Sequence, residues 1–272
     1  MPTLIFSHAN SFPASIYRVL LDSLRARGFE VHALEKFGHD PAYPVTDNWP
    51  HLLRQLADFV RAHTGADGAP PWLVGHSLGG ILSLMCAAQH PELARGLVLL
   101  DSPVLRGWRA RSISLAKRAP WMMQRISPSQ ISRKRRNEWA DREAVLEHFR
   151  AKKLFAIWDQ QVLRDYVDHG TIGADGVWRL AFEPEVESRI YETLPHHLPA
   201  MLRRHPLKCP AAFIGGLQSA ELRRAGGIDR ARVIAKGRVT MIDGTHLFPM
   251  EKPLATAAAI EAHLRAMDGV ER

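Results

Sequence analysis

The sequence predicts an α/β protein with a mostly parallel central sheet, helices on both faces and an inserted helical lid. Three observations carry this. Short β-rich apolar runs alternate with amphipathic helical patterns up to about residue 100 and again from about residue 210, the pattern of a parallel sheet covered on both sides. Between those stretches the alternation stops, leaving about a hundred residues that read as helices with no strand pattern. Finally, 272 residues with 46% hydrophobic content are enough to bury a full core. The division that follows is a core of residues 1–103 and 209–272, and a lid of residues 104–208.

The elements are read in order. Residues 3–7, 29–34, 72–75, 97–100, 211–214 and 239–242 are short β-rich runs of strand length, which read as buried strands. A helix over 14–27 ends at Gly28, and one over 49–63 has Asn48 as its cap and a turn-rich stretch, 64–71, behind it. In the lid, Ser127, Pro128 and Gln130 mark one helix start, Gly170 ends a helix containing 158–168, and Pro184 opens another. A final helix follows Pro253.

Composition narrows the function classes. The longest apolar run, 81–88, falls far short of the ~20 residues of a spanning helix. The first strand begins at Thr3, leaving no room for a secretion signal ahead of it, so a cytoplasmic location is expected. Cys86 and Cys209 stand among apolar neighbours and read as buried reduced thiols. Lys and Arg number 36 against 28 Asp and Glu; inside 104–208 the balance is 20 to 12, and outside it 16 to 16. The net charge therefore belongs to the lid, above all to Arg133-Lys134-Arg135-Arg136 and Lys152-Lys153. A solvated helix face is the simpler reading of this charge; a weak contact with an anionic membrane surface or an anionic substrate is the sharper one. Nucleic acid is not expected as a partner, because no binding motif accompanies the charge. The aromatic and Met residues of the lid (Trp108, Trp121, Met122, Met123, Trp139, Phe149, Phe155, Trp158, Tyr166 and Trp178) read mostly as its core, with a minority lining a pocket.

The motif that carries chemistry is Gly75-His76-Ser77-Leu78-Gly79, followed by Gly80. It lies directly after the strand at 72–75 and before a helical run. A serine on so sharp a strand-to-helix turn is exposed as a nucleophile, and glycines two residues to either side let the backbone make the turn. The helix behind it aims its N-terminus at the site, where the Leu78 amide can donate to a developing oxyanion.

With this motif in its strand-turn-helix setting, the chain resembles the α/β-hydrolase superfamily, from the first strand to the final helix. The resemblance implies a histidine in the loop after the last strand. Asp243-Gly244-Thr245-His246 offers His246 as the base, with Asp243 shaping the turn. It also implies an oxyanion loop after the first strand, where this chain has Ser7-His8-Ala9-Asn10-Ser11 in place of the usual His-Gly. The amide of Asn10, or of Ser11, would pair with that of Leu78, and His8 would brace the loop. The acid is open. The superfamily usually carries Asp about three residues past a glycine ending the penultimate strand, and here Gly216 is followed by Leu217-Gln218-Ser219, with Glu221 beyond. Asp101, at the end of the strand next to the nucleophile strand, matches the place used by the dehalogenase-like branch and is the first choice; Glu221 is the alternative.

The expectation is a serine hydrolase acting on a small-molecule carboxylic ester, with no cofactor and no metal. A thioesterase, lactonase or C–C bond hydrolase would use the same residues. The missing aspartate at Ser219 also motivates a catalytically silent ligand-binding protein. Oligomeric state cannot be read from the sequence.

Overall fold

In the computed structural model of the chain, the described residues are 1–65, 68–104, 117 and 128–269. The predicted helix start at Ser127 and the lid residues Trp108, Trp121, Met122 and Met123 lie outside them.

Six strands form one sheet: β1 (Thr3–Ser7), β2 (Glu30–Ala33), β3 (Trp72–His76), β4 (Gly96–Leu100), β8 (Ala211–Gly216) and β9 (Val239–Ile242). Their order is β2-β1-β3-β4-β8-β9, and every pairing is parallel. Parallel neighbours need crossover connections, and α1 (Arg18–Ala26), α2 (Pro50–Ala62) and α3 (Leu78–Gln89) supply the first ones.

Successive strand residues point to opposite faces. Leu4 and Phe6 pack with α1 and with α13 (Pro253–Asp268), whereas Ile5 packs with α2 and α3. The inner strands β1, β3, β4 and β8 are therefore buried throughout, whereas β2 and β9, expected to be buried as well, lie at the two edges of the sheet and are partly exposed. The register pairs Ser7 with Gly75, His76 with Leu100 and Gly216 with Ile242, so the carboxyl ends of five strands finish side by side. The strand order reverses between β1 and β3, and a crevice outside the strand ends is expected there.

Two local expectations are corrected. The helix α2 begins at Pro50, behind a Trp49 at φ 61°. Asn48 does not cap it; its side chain bonds Asp47 and His197 instead. The region expected to be the helical lid also contains strands. Between β4 and β8 lie α4 (Ser129–Lys134), β5 (Glu138–Trp139), α5 (Arg142–Arg150), α6 (Lys153–Ala156), α7 (Gln160–His169), β6 (Thr171–Ala174), β7 (Val177–Leu180), α8 (Pro184–Glu192) and α9 (Leu198–Arg204). The three strands form an antiparallel sheet in the order β5-β7-β6. Its hairpin turns on Asp175 and Gly176, both at positive φ, the two-residue turn that matches strand twist.

Aromatic side chains hold the inserted segment together. Phe149, Phe155, Trp158 and Tyr166 are buried with ring centroids 4.5–5.7 Å apart. Its basic run is largely paired internally: Arg133 with Glu185 and Glu192, and Arg135 with Glu187, while Arg136 lies over the Trp139 ring. Cys86 is buried and unbridged, and burial pushes its thiol up to about 12.

Candidate active site

Ser77 joins β3 to α3 at φ 53°, ψ −112°, a conformation that costs about 1–3 kcal/mol and persists only where its surroundings enforce it. Here the Ser77 amide donates to the Leu100 carbonyl at 2.9 Å, and the Gly79 amide to the His8 carbonyl at 3.1 Å. The second bond brings two backbones so close that a Cβ at Gly79 would sit 2.1 Å from the Ser7 carbonyl oxygen. The glycine is therefore a condition for placing the Ser77 turn against the loop after β1.

The strand ends bring three side chains into a line. His246 Nε2 lies 3.0 Å from Ser77 Oγ, and His246 Nδ1 lies 2.6 Å from Asp101 Oδ2. A carboxylate facing Nδ1 keeps the proton on that nitrogen and leaves the Nε2 lone pair towards the serine. Asp101 is fully buried at the end of β4, and buried charge needs hydrogen-bond donors. It has three: His246, the Gly216 amide at 2.8 Å and the Ser219 hydroxyl at 2.6 Å.

Ser77, His246 and Asp101 thus meet. Glu221 does not join them: it lies in the first turn of α10 (Ala220–Ala225) and has no hydrogen bond to His246 among the described residues. Ser219, which in the sequence reads only as a missing aspartate, donates to the Asp101 carboxylate and accepts the Leu222 amide as cap of α10. The spacing from Gly216 was the signal that marked its position. Asp243 is bonded by Gln218 and Lys252, which hold its carboxyl below the usual range.

The loop after β1 is fixed from both sides. His8 is fully buried; its Nδ1 donates to the Ala9 carbonyl at 2.7 Å, and its Nε2 accepts the Phe37 amide at 3.0 Å. Burial lowers its pKa to about 4, so the ring is neutral and braces the loop. The Asn10 side chain donates to the Glu187 carbonyl of α8, and Phe12 reaches Trp158 and Tyr166 at 5.8 and 6.0 Å. The inserted segment therefore holds the loop from above. Leu78 opens α3, so its amide has no carbonyl one turn back within the helix; the Gly79–His8 bond sets this end beside Ala9 and Asn10.

A cavity of about 100 Å³ lined by Ile81, Pro103, Leu194, Pro195, Leu198 and Pro199 is apolar on every side. Its Ile81 lies one helical turn past Ser77, bonded to the Ser77 carbonyl. Among the described residues no group of three or more His, Cys, Asp or Glu side chains is placed to hold a metal ion, and no helix is long and apolar enough to cross a membrane.

A sheet of this order with a strained serine turn, a histidine after the last strand and a strand-end carboxylate defines the hydrolases built on parallel sheets. The chain belongs to the alpha/beta hydrolase family, whose pattern matches residues 4–259. Among curated proteins it is similar to a pyrethroid hydrolase of Sphingobium wenxiniae, 33% identical over 103 residues; that match spans 36% of this chain and only 35% of the relative. Among solved structures it is similar to E-2-(acetamidomethylene)succinate hydrolase, with a TM-score of 0.75 at 19% identity over 97% of this chain and 91% of the other. An M. tuberculosis esterase superposes with a TM-score of 0.68 at 21% identity, over 97% and 85% of the two chains. At these identities the two structures establish a shared fold.

Proposed function

We propose that the chain is a serine hydrolase that cleaves a small or medium carboxylic ester through an acyl-enzyme. The observation that carries this reading is the unbroken hydrogen-bond line from Asp101 through His246 to Ser77. Ser77 Oγ attacks the ester carbonyl as His246 Nε2 takes its proton, and Asp101 stabilises the imidazolium. The amides of Asn10 and Leu78 receive the oxyanion. The tetrahedral species collapses and the alcohol leaves with the proton from His246. His246 then deprotonates a water molecule that attacks the acyl carbon, releasing the acid and restoring the serine. The apolar cavity beside Ile81 suits the hydrocarbon part of such an ester, and the inserted segment acts as the lid over it.

Labelling of the purified protein with a fluorophosphonate tests this. Wild type is expected to label, and Ser77→Ala and His246→Ala are expected not to. A folded wild-type protein that stays unlabelled would replace the reading with that of a silent ligand-binding protein. A panel of esters, thioesters and lactones then fixes the bond: turnover of thioesters alone would remove the ester assignment.

A further inference from the structure

The residue before the nucleophile is a buried histidine that the proposed chemistry does not use. His76 has no exposed surface, and both its ring nitrogens are engaged. Nδ1 lies 2.8 Å from the Tyr17 hydroxyl, and Nε2 lies 2.9 Å from the His246 carbonyl. Tyr17, itself 1% exposed, accepts the amide of Ala9 at 3.1 Å.

The donors follow from the bonding partners and from burial of the ring. A carbonyl only accepts, so His76 Nε2 carries a proton. Burial and the neighbouring His246 hold His76 well below its ordinary pKa, so the ring is neutral and Nδ1 is an acceptor. The Tyr17 hydroxyl must then donate to Nδ1 while it accepts from Ala9. All bonds run one way: Ala9 amide, Tyr17 hydroxyl, His76 ring, His246 carbonyl.

We infer that Tyr17 and His76 are positioning residues, whose buried hydrogen-bond chain holds the oxyanion loop and the general base in a common register around Ser77. One end of the chain is the residue before Asn10, the other is His246 itself, and its middle is covalently next to the nucleophile. The inference rests on the proposed roles of Asn10, Ser77 and His246. Removing the Tyr17 hydroxyl leaves the Ala9 amide and His76 Nδ1 buried without partners and frees the two segments to drift independently. Misplacement of this kind lowers the rate of chemistry more than the binding of substrate.

The test joins kinetics to a tautomer measurement. In Tyr17→Phe, kcat for an activated ester is expected to fall roughly 10- to 100-fold with KM held within about twofold. His76→Gln, which can both accept from Tyr17 and donate to His246, is expected to keep most of the activity that His76→Leu loses. In wild type, long-range proton–nitrogen NMR is expected to show His76 neutral with its proton on Nε2, a readout that holds even if a variant fails to fold. A folded Tyr17→Phe with wild-type kcat, or a His76 proton on Nδ1, would overturn the inference. Wild-type protein that neither labels nor turns over esters would remove the hydrolase reading instead, and the tautomer would still decide whether the chain of bonds exists.

Discussion

Asp101 takes its three hydrogen bonds on two oxygens, and Oδ2 alone serves both His246 and Ser219. Ser219 therefore bonds the same oxygen that faces the histidine, from the sequence position where the superfamily usually carries the acid. Asp101→Asn should lower kcat roughly a thousand- to ten-thousand-fold, by supplying the wrong partner to Nδ1. Asp101→Ala should slow the enzyme comparably, and adding Ser219→Asp to Asp101→Ala should return at least tenfold of the loss, because the space that Oδ2 occupied is then vacant and a carboxylate at 219 extends into it. Steady-state kinetics on one ester decides this, and a double variant as slow as Asp101→Ala would show that the neighbouring strand cannot supply the acid. The residue types of this site were legible in the sequence to different depths. Ser77 and His246 follow from motif and chain order. Asp101 and Glu221 stayed alternatives because order along a chain is not distance, and it takes the pairing of β4 with β8 and of β8 with β9 to bring Asp101 and His246 to the same edge of the sheet. The part played by Ser219 was invisible, since a hydroxyl that replaces a carboxylate reads as a loss until its own partner is seen.

Among the elements, the core strands and helices were legible because burial on both faces and on one face leaves distinct patterns. The inserted antiparallel sheet was not. Its strands have two to four residues, too few for alternation to stand out, and most of β6 is exposed. The Asp175-Gly176 pair between Ala174 and Val177 was the available signal. Two glycines separate the roles of the two regions. Gly176→Ala meets no atom within 4 Å and acts only through its φ of +74°, so it should cost about 1 kcal/mol and leave fluorophosphonate labelling unchanged. Gly79→Ala drives a methyl group into the Ser7 carbonyl, so it should abolish labelling by moving the nucleophile turn off the β1 loop. Thermal melts and labelling of the two variants check both statements, and a Gly79→Ala protein that labels normally would refute the second.

At the scale of the whole molecule, stability should depend on pH through buried neutral histidines. His8 has a folded-state pKa of about 4, below the ordinary value of about 6.5 for an unfolded chain. Above pH 6.5 neither state binds the proton and the folded state keeps its full stability; as pH falls from 6.5 towards 4 the unfolded state gains protons first, and stability is lost. The shift corresponds to about 3 kcal/mol, with His76 acting in the same direction. Urea midpoints at pH 7.5, 5.5 and 4.5 should fall in that order, and a flat series would show that His8 protonates at no cost to the fold. The same sheet has a consequence for how the protein is made. Asp101 and His246 are 145 residues apart and Ser77 and His246 are 169 apart, while β4 must wait for β8 across the whole inserted segment. Pairings over such distances form late. On the proposed roles of Ser77 and His246, a chain emerging from the ribosome displays the serine long before the histidine that would activate it, so during synthesis the serine is an ordinary alcohol and a half-made copy is not trapped as a dead ester of whatever it meets.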